Sequence, residues 1–313
     1  MPSMDAVMKP KALKPGDSLR LVSPASPILP EKVSRFTRMM EVAGYRVTVS
    51  KHAFESDVYL AGSDEHRAQD LNEAFAADDV DAVMCSRGGY GCARLMPRLD
   101  LDMMARSGKL FLGFSDITTV HLALNRRGLP TLHAPMALSL SVDRADWVYE
   151  SFLNCLKGEN PIPEKAPTGK TLIPGSAEGV VTGGCLCLIT DSIGTPDSVD
   201  CAGKILLIED VDENPHRIDA MLTHLRLTGM IQKAAGIVIG EMTNTDEKID
   251  PSIGGKPWRE IVRDRLGDLD VPTITDFPFG HCKNMLTLPL GIRARLDADA
   301  GTLTYTEPLC AEY

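Results

Sequence analysis

Lys109-Leu110-Phe111-Leu112-Gly113-Phe114-Ser115-Asp116-Ile117 is the stretch on which the fold turns. Its first six residues read as a strand, apolar after Lys109, and residues 116–126 continue at helical spacing, so a serine stands where a strand passes into a helix. A sharp turn of that kind lifts a hydroxyl clear of the sheet. It also sets backbone N–H groups and a helix N-terminus where they would meet developing negative charge. The stretch lacks the second glycine of a G-x-S-x-G elbow, and a serine that only caps the following helix would look the same locally.

The same alternation recurs on both sides. Leu19-Arg20-Leu21-Val22 runs into Ser23-Pro24-Ala25-Ser26-Pro27, Tyr45–Val49 reads as a second strand, and Val80–Cys85 is a third that ends in Ser86-Arg87-Gly88-Gly89-Tyr90-Gly91. Residues 31–43 and 64–77 carry helical spacing between them. Strand alternating with helix predicts an α/β protein with a mostly parallel sheet covered on both faces. A stretch rich in Pro, Gly and Lys begins at Lys157-Gly158-Glu159-Asn160-Pro161 and suits an exposed linker. The expected organisation is an N-terminal α/β domain over 1–157, a linker over 158–175, and a C-terminal β/α domain over 176–313. The last has strands near Glu178–Thr182, Lys204–Ile208, Ala235–Ile239 and Ala294–Leu296 and a helix over 216–229.

A length of 313 residues suits two such domains. Lys and Arg number 33 against 43 Asp and Glu, a net charge of -10, so the chain has no electrostatic reason to hold a phosphate backbone. Aromatic residues at 5% offer few base-stacking platforms, and no nucleic-acid partner is expected. Nowhere do about 18 apolar residues run together, which predicts no membrane span. The N-terminus has no apolar signal core, and the eight cysteines are scattered without a CxxC, which fits reduced thiols and a cytoplasmic protein.

Three further clusters could carry chemistry. The glycines of Arg87-Gly88-Gly89-Tyr90-Gly91 allow close backbone approach, so their N–H groups could form an oxyanion hole, or the segment is simply a tight turn. Glu209-Asp210-Val211-Asp212-Glu213 follows an apolar strand. It could gather a hard cation or be a solvated acidic turn. His281 sits in a loop fixed by Pro278 and Gly280, and no HExxH is present. Serine, acid and histidine appear in the order Ser, Glu, His, the order of nucleophile, orienter and base in α/β-hydrolase-like enzymes.

The chain resembles the LD-carboxypeptidases, the serine peptidase family that includes muramoyltetrapeptide carboxypeptidase and the microcin C immunity peptidase. The likeness runs through Leu13–Asp17 with Val22–Ser26, Arg87–Gly91, Gly113–Asp116, Gly183–Leu186 and Gly194–Pro196. It continues in Leu207–Pro215 with Arg217–Asp219, and in Phe279–His281 with Leu288–Gly291. It implies a Rossmann-like N-terminal domain and a C-terminal swivelling β/α domain. It also implies Ser115 as nucleophile, Glu209 rather than Glu213 as the acid, and His281 as base, with oxyanion donors from the N–H groups of Asp116, Gly88 and Gly89.

The reaction implied is release of terminal D-alanine from a murein tetrapeptide in peptidoglycan recycling. It calls for neither a metal nor an organic cofactor, and the family implies a homodimer. Arg87 and Arg217, with Arg94 behind them, are candidates for the substrate carboxylate. Three competing readings are hydrolysis of a peptidyl-nucleotide amide, a thiol nucleophile at Cys85 or Cys185, and a non-catalytic muropeptide-binding module. Met1–Lys9, expected to be disordered, and Thr245–Lys256, expected to be a surface loop, are departures from the family pattern.

Overall fold

The computed structural model describes residues 8–311, so most of the segment expected to be disordered, at 1–7, lies outside the described residues. The chain forms two compact units. One takes the chain through Pro163 together with Leu286–Gly291 and the stretch from Pro308 onward; the other takes Glu164–Met285 and Ile292–Glu307. In chain order the strands are β1 (Ser18–Val22), β2 (Arg46–Val49), β3 (Ala82–Cys85), β4 (Leu110–Gly113), β5 (Thr131–His133), β6 (Lys170–Ile173), β7 (Ser176–Cys185), β8 (Ile205–Val211), β9 (Gly236–Thr243), β10 (Thr273–Thr275), β11 (Leu288–Leu290), β12 (Arg293–Asp297) and β13 (Thr302–Tyr305).

The first unit is built on a sheet of order β11-β5-β4-β3-β1-β2, in which β1 to β5 run parallel. β1, β3 and β4 are almost wholly apolar and buried because helices lie between the strands in sequence and cover the faces. The strand order reverses between β1 and β3, and in doubly wound sheets ligands bind at the carboxyl ends of the strands beside such a reversal. The loops leaving β1, β3 and β4 there are Ser23–Pro27, Ser86–Gly91 and Phe114–Ser115. β11 comes from far along the chain and pairs antiparallel with β5. Its central Pro289 cannot donate to a ladder, and the strand accordingly lies at the sheet's edge.

The second unit carries a seven-stranded sheet of order β13-β12-β7-β8-β9-β10-β6. β7 to β10 are parallel, and β6, β12 and β13 are antiparallel additions at its edges. The stretch expected as linker supplies one of those edge strands, β6, whose half-exposed Lys-Thr-Leu-Ile carries too little apolar pattern to mark a strand in sequence. β8 also extends past its expected end at Ile208, because Glu209 and Asp210 are buried within the ladder instead of marking its exit. The segment 245–256 is a largely exposed loop with a short 3-10 turn at Asp246–Lys248. Among the described residues no helix is long and apolar enough to cross a membrane.

Candidate active site

In the first unit the backbone of Ser115 has φ 66°, a left-handed conformation that costs a non-glycine residue about 1–2 kcal/mol. The strain belongs to the turn itself: β4 ends at Gly113, a 3-10 turn spans Ser115–Ile117, and the helix Thr118–Arg126 follows. Gly113 has to be glycine, since a Cβ there would lie 2.9 Å from the Ile117 side chain and 3.2 Å from Cys85 Cβ. That helix starts from Ile117, whose side chain cannot cap it. His121 Nε2 lies 2.8 Å from the Gly113 carbonyl. Burial pulls its pKa down to about 3, so the imidazole is neutral and donates this bond, pinning the strand end.

The glycine loop after β3 lies against the serine. A Cβ on Gly88 would fall 2.8 Å from Ser115 Cβ, 2.9 Å from its Oγ and 3.5 Å from the Asp116 backbone nitrogen. Gly89 has φ 123° and packs over Ser26, whose Oγ accepts from the Tyr90 N–H at 3.3 Å. The carboxylate of Asp116 is buried and accepts from the Cys92 N–H at 2.8 Å, tying the turn after Ser115 to the end of the glycine loop. Burial raises its pKa, and the hydrogen bonds from Cys92 oppose that.

Arg67 was hidden in sequence within a charged helical run. It is only 1% exposed, pairs with Asp64 at 2.5 Å, and donates to the carbonyls of Pro24 and of Gly91, the latter at 3.1 Å. It therefore joins the loop after β1 to the loop after β3. Arg87 donates to the carbonyls of Gly88 at 3.2 Å and Pro27 at 3.3 Å, and Arg94 is held by Asp64 at 2.9 Å.

In the second unit β8 puts Glu209 and Asp210 on opposite faces. Glu209 is fully buried, and its Oε2 accepts from His281 Nδ1 at 2.6 Å and from the His281 backbone N–H at 3.2 Å. The approach depends on Gly280, at φ 92°, where a Cβ would fall inside the Glu209 side chain, 2.7 Å from its Cβ. The β8–β9 register slips between Ile208 and Asp210, an irregularity of the kind that re-aims a side chain. Burial pulls the His281 pKa down, but the charge and hydrogen bond of Glu209, with Asp210 and Asp212 further off, outweigh it and the net shift is upward.

Asp210 faces the other way and accepts from the N–H groups of Cys187 at 2.8 Å and Val211 at 2.7 Å. Burial and then the charge of Glu209 push its pKa up to about 6. Glu213, the other candidate acid, is partly exposed and stands 3.9 Å from Arg217.

The first unit thus carries Ser115, Asp116, Gly88, Gly89 and Arg87 on adjoining loops, and the second carries the Glu209–His281 pair and Arg217. Asp212 binds the Asn244 side chain at 3.0 Å, and among the described residues the four carboxylates of 209–213 do not converge on one another, Asp210 alone standing in a possible ligand group, with Cys185 and Cys187. Cys85 and Cys185 are poor nucleophiles. Burial, and then the charge of Asp116, raises the pKa of Cys85; a hydrogen bond with Cys187, and then burial, raises that of Cys185, so both keep their protons.

Residues 19–134 match the family model of the LD-carboxypeptidase N-terminal domain, and residues 178–296 match that of the LD-carboxypeptidase C-terminal domain. A murein tetrapeptide carboxypeptidase of Pseudomonas aeruginosa is 30% identical, with 89% of this chain and 92% of that protein covered. The microcin C7 self-immunity protein of Escherichia coli is 27% identical over 93% of this chain and 94% of its own length. The crystal structure of muramoyltetrapeptide carboxypeptidase from Oxalobacter formigenes superposes with a TM-score of 0.79 at 29% identity, covering 92% of this chain and 97% of that one.

Proposed function

The chain belongs to the LD-carboxypeptidase family of serine peptidases, and we propose that it removes the terminal D-alanine from a murein tetrapeptide during peptidoglycan recycling. The observation that carries the chemistry is the buried 2.6 Å hydrogen bond between Glu209 and His281 Nδ1. With Nδ1 held by the carboxylate, Nε2 is the basic nitrogen, the division of labour expected of a catalytic histidine.

In this reading His281 takes the proton from Ser115 Oγ, and the oxygen attacks the carbonyl of the L-centre that precedes D-alanine. Glu209 keeps the imidazole in orientation and stabilises its cationic form. The N–H groups of Asp116, Gly88 and Gly89 stabilise the tetrahedral oxyanion, each such donor being worth about 3–4 kcal/mol in comparable sites. The intermediate collapses, His281 returns the proton to the leaving amine of D-alanine, and water then releases the acyl group from Ser115 by the same route in reverse.

Arg87 and Arg217 are the proposed partners of the terminal carboxylate of the peptide. Part of the Arg87 guanidinium is committed to loop carbonyls, and Arg217 makes only a loose pair with Glu213. The family reading adds a homodimer and a cytoplasmic setting.

The test is mass spectrometry of a murein tetrapeptide incubated with the protein and with Ser115→Ala. The wild type should release one alanine per peptide and the variant none. The variant should keep its stability to within about 1 kcal/mol, since a small side chain at a helix start contributes little more. Release by the variant at the wild-type rate would remove Ser115 from the mechanism. A second reading rests on the likeness to the microcin C7 self-immunity protein: hydrolysis of a peptidyl-nucleotide amide. Faster turnover of such a conjugate than of the tetrapeptide would favour it.

A further inference from the structure

Away from the glycine loop and the serine, the first unit gathers His52, Glu55 and His66, which the proposed reaction does not use. One ligand atom from each lies within 4.8 Å of the others. His66 Nδ1 stands 2.8 Å from Glu55 Oε2, and the two imidazole rings stack with centroids 4.1 Å apart. Behind them, Asp70 is buried and faces His52 twice, with Oδ1 at 2.9 Å from Nδ1 and Oδ2 accepting the His52 backbone N–H at 3.0 Å. A carboxylate on one imidazole nitrogen fixes the tautomer, turns the other nitrogen into a lone pair, and raises its donor strength, which is the usual backing of a metal-bound histidine. The side chains of His66 and Glu55 are 46% and 39% exposed, which leaves an open side for water and an entry path.

We propose that His52, Glu55 and His66 bind one zinc ion, with Asp70 positioning His52 and water completing the tetrahedron. Two imidazoles and one carboxylate are a donor set zinc accepts at about 2.0–2.2 Å per bond, so the ligand atoms would settle about 3.3–3.5 Å from one another, with the 2.8 Å contact between His66 and Glu55 opening to admit the ion. Nε2 of His52, the nitrogen not facing Asp70, is the ligand atom. The imidazole lone pairs lie in the ring planes, so His66 must turn out of its stack, a movement its exposure permits.

The ion would clasp the turn after β2 to the first turn of the helix Asp64–Ala76. That turn supports the loop after β1 through the bond from Ser23 Oγ to the Ala53 carbonyl, at 2.6 Å, and the bond from the Ala61 N–H to the Ala25 carbonyl, at 2.9 Å. The role is one of bracing and leaves the reacting atoms untouched.

Isothermal titration of the metal-stripped full-length protein with zinc, with cobalt absorption as a spectroscopic check, tests the site. The wild type should take up one zinc and melt at a higher temperature with it. His66→Gln and Glu55→Gln, both at exposed positions, should each lose at least ~100-fold in affinity and the melting shift. Asp70→Asn should weaken binding by about 10–100-fold. His216→Gln, at an exposed histidine elsewhere, should bind like the wild type. Failure of the wild type to bind, or equal binding by the wild type and the two variants at positions 55 and 66, would overturn the proposal.

Discussion

Gly88→Ala puts one methyl group where the chain leaves no room. Gly88 lies outside the left-handed region, so alanine suits its backbone, and the substitution is felt only through space. The new Cβ would stand 2.8 Å from Ser115 Cβ and 2.9 Å from Oγ, against ordinary contacts of about 3.5–4.0 Å. Relief requires a relative shift of roughly 0.5–1 Å, and Ser115, already at φ 66°, has no relaxed conformation to shift into.

A nucleophile misplaced by about 1 Å costs ~100-fold in rate, and withdrawal of a neighbouring oxyanion donor costs ~100–1000-fold by itself. The expected loss in kcat/KM for D-alanine release is therefore at least ~100-fold. The stability loss should be bounded: alanine at a compatible position gains about 0.4–1 kcal/mol, and overpacking costs about 1–3 kcal/mol, leaving a net loss under about 3 kcal/mol. A coupled assay for free D-alanine, run beside a thermal melt, separates the two effects. A folded Gly88→Ala protein with wild-type kcat/KM would refute the account of this loop.

Glu209→Gln keeps the shape but removes the charge behind His281, and should lower kcat by roughly 10³–10⁴-fold. Glu213→Gln touches only a loose, partly exposed ion pair and should stay within ~5-fold; the reverse ranking in steady-state kinetics would move the acid to Glu213. The base must be neutral to act, and Glu209 holds its pKa up, so kcat/KM should fall on acidification through a midpoint above the ordinary imidazole value of about 6.5. A pH–rate profile with its acid limb below that value in the wild type would contradict the pairing. The linked effect on stability has the opposite sense. An imidazole that holds its proton more tightly when folded adds stability below its unfolded pKa, and that addition fades as the pH rises through the folded one.

Much of the first unit is written in short-range pattern. β1, β3 and β4 are apolar runs closed by Pro, Gly or Ser, and the serine turn and glycine loop follow them directly, so periodicity alone locates both. The φ of Ser115 is not legible, because a serine that merely starts a helix shows the same local pattern as one held in a left-handed turn. β8 read short because a buried carboxylate breaks an apolar run, and the partner that makes Glu209 tolerable, His281, lies 72 residues further on. β11 is three residues with a proline at the centre and finds its sheet across more than 150 residues of chain, a contact no local signal carries. Arg67 has the look of a solvated helical charge. Only the convergence of the Pro24 and Gly91 carbonyls explains why it is buried.

The central claim is stereochemical, and one comparison of kcat/KM tests it. Three peptides are assayed under one set of conditions: the murein tetrapeptide ending in D-alanine, its counterpart ending in L-alanine, and the pentapeptide ending in D-alanyl-D-alanine. A site that aligns Ser115 on the carbonyl of an L-centre, with a D-residue leaving, misplaces the reacting atoms of the other two. A misplacement of about 1 Å costs ~100-fold. The account predicts that the first peptide is cut and that each of the others is cut at least ~100-fold more slowly. Equal rates on the D- and L-terminated tetrapeptides would contradict it.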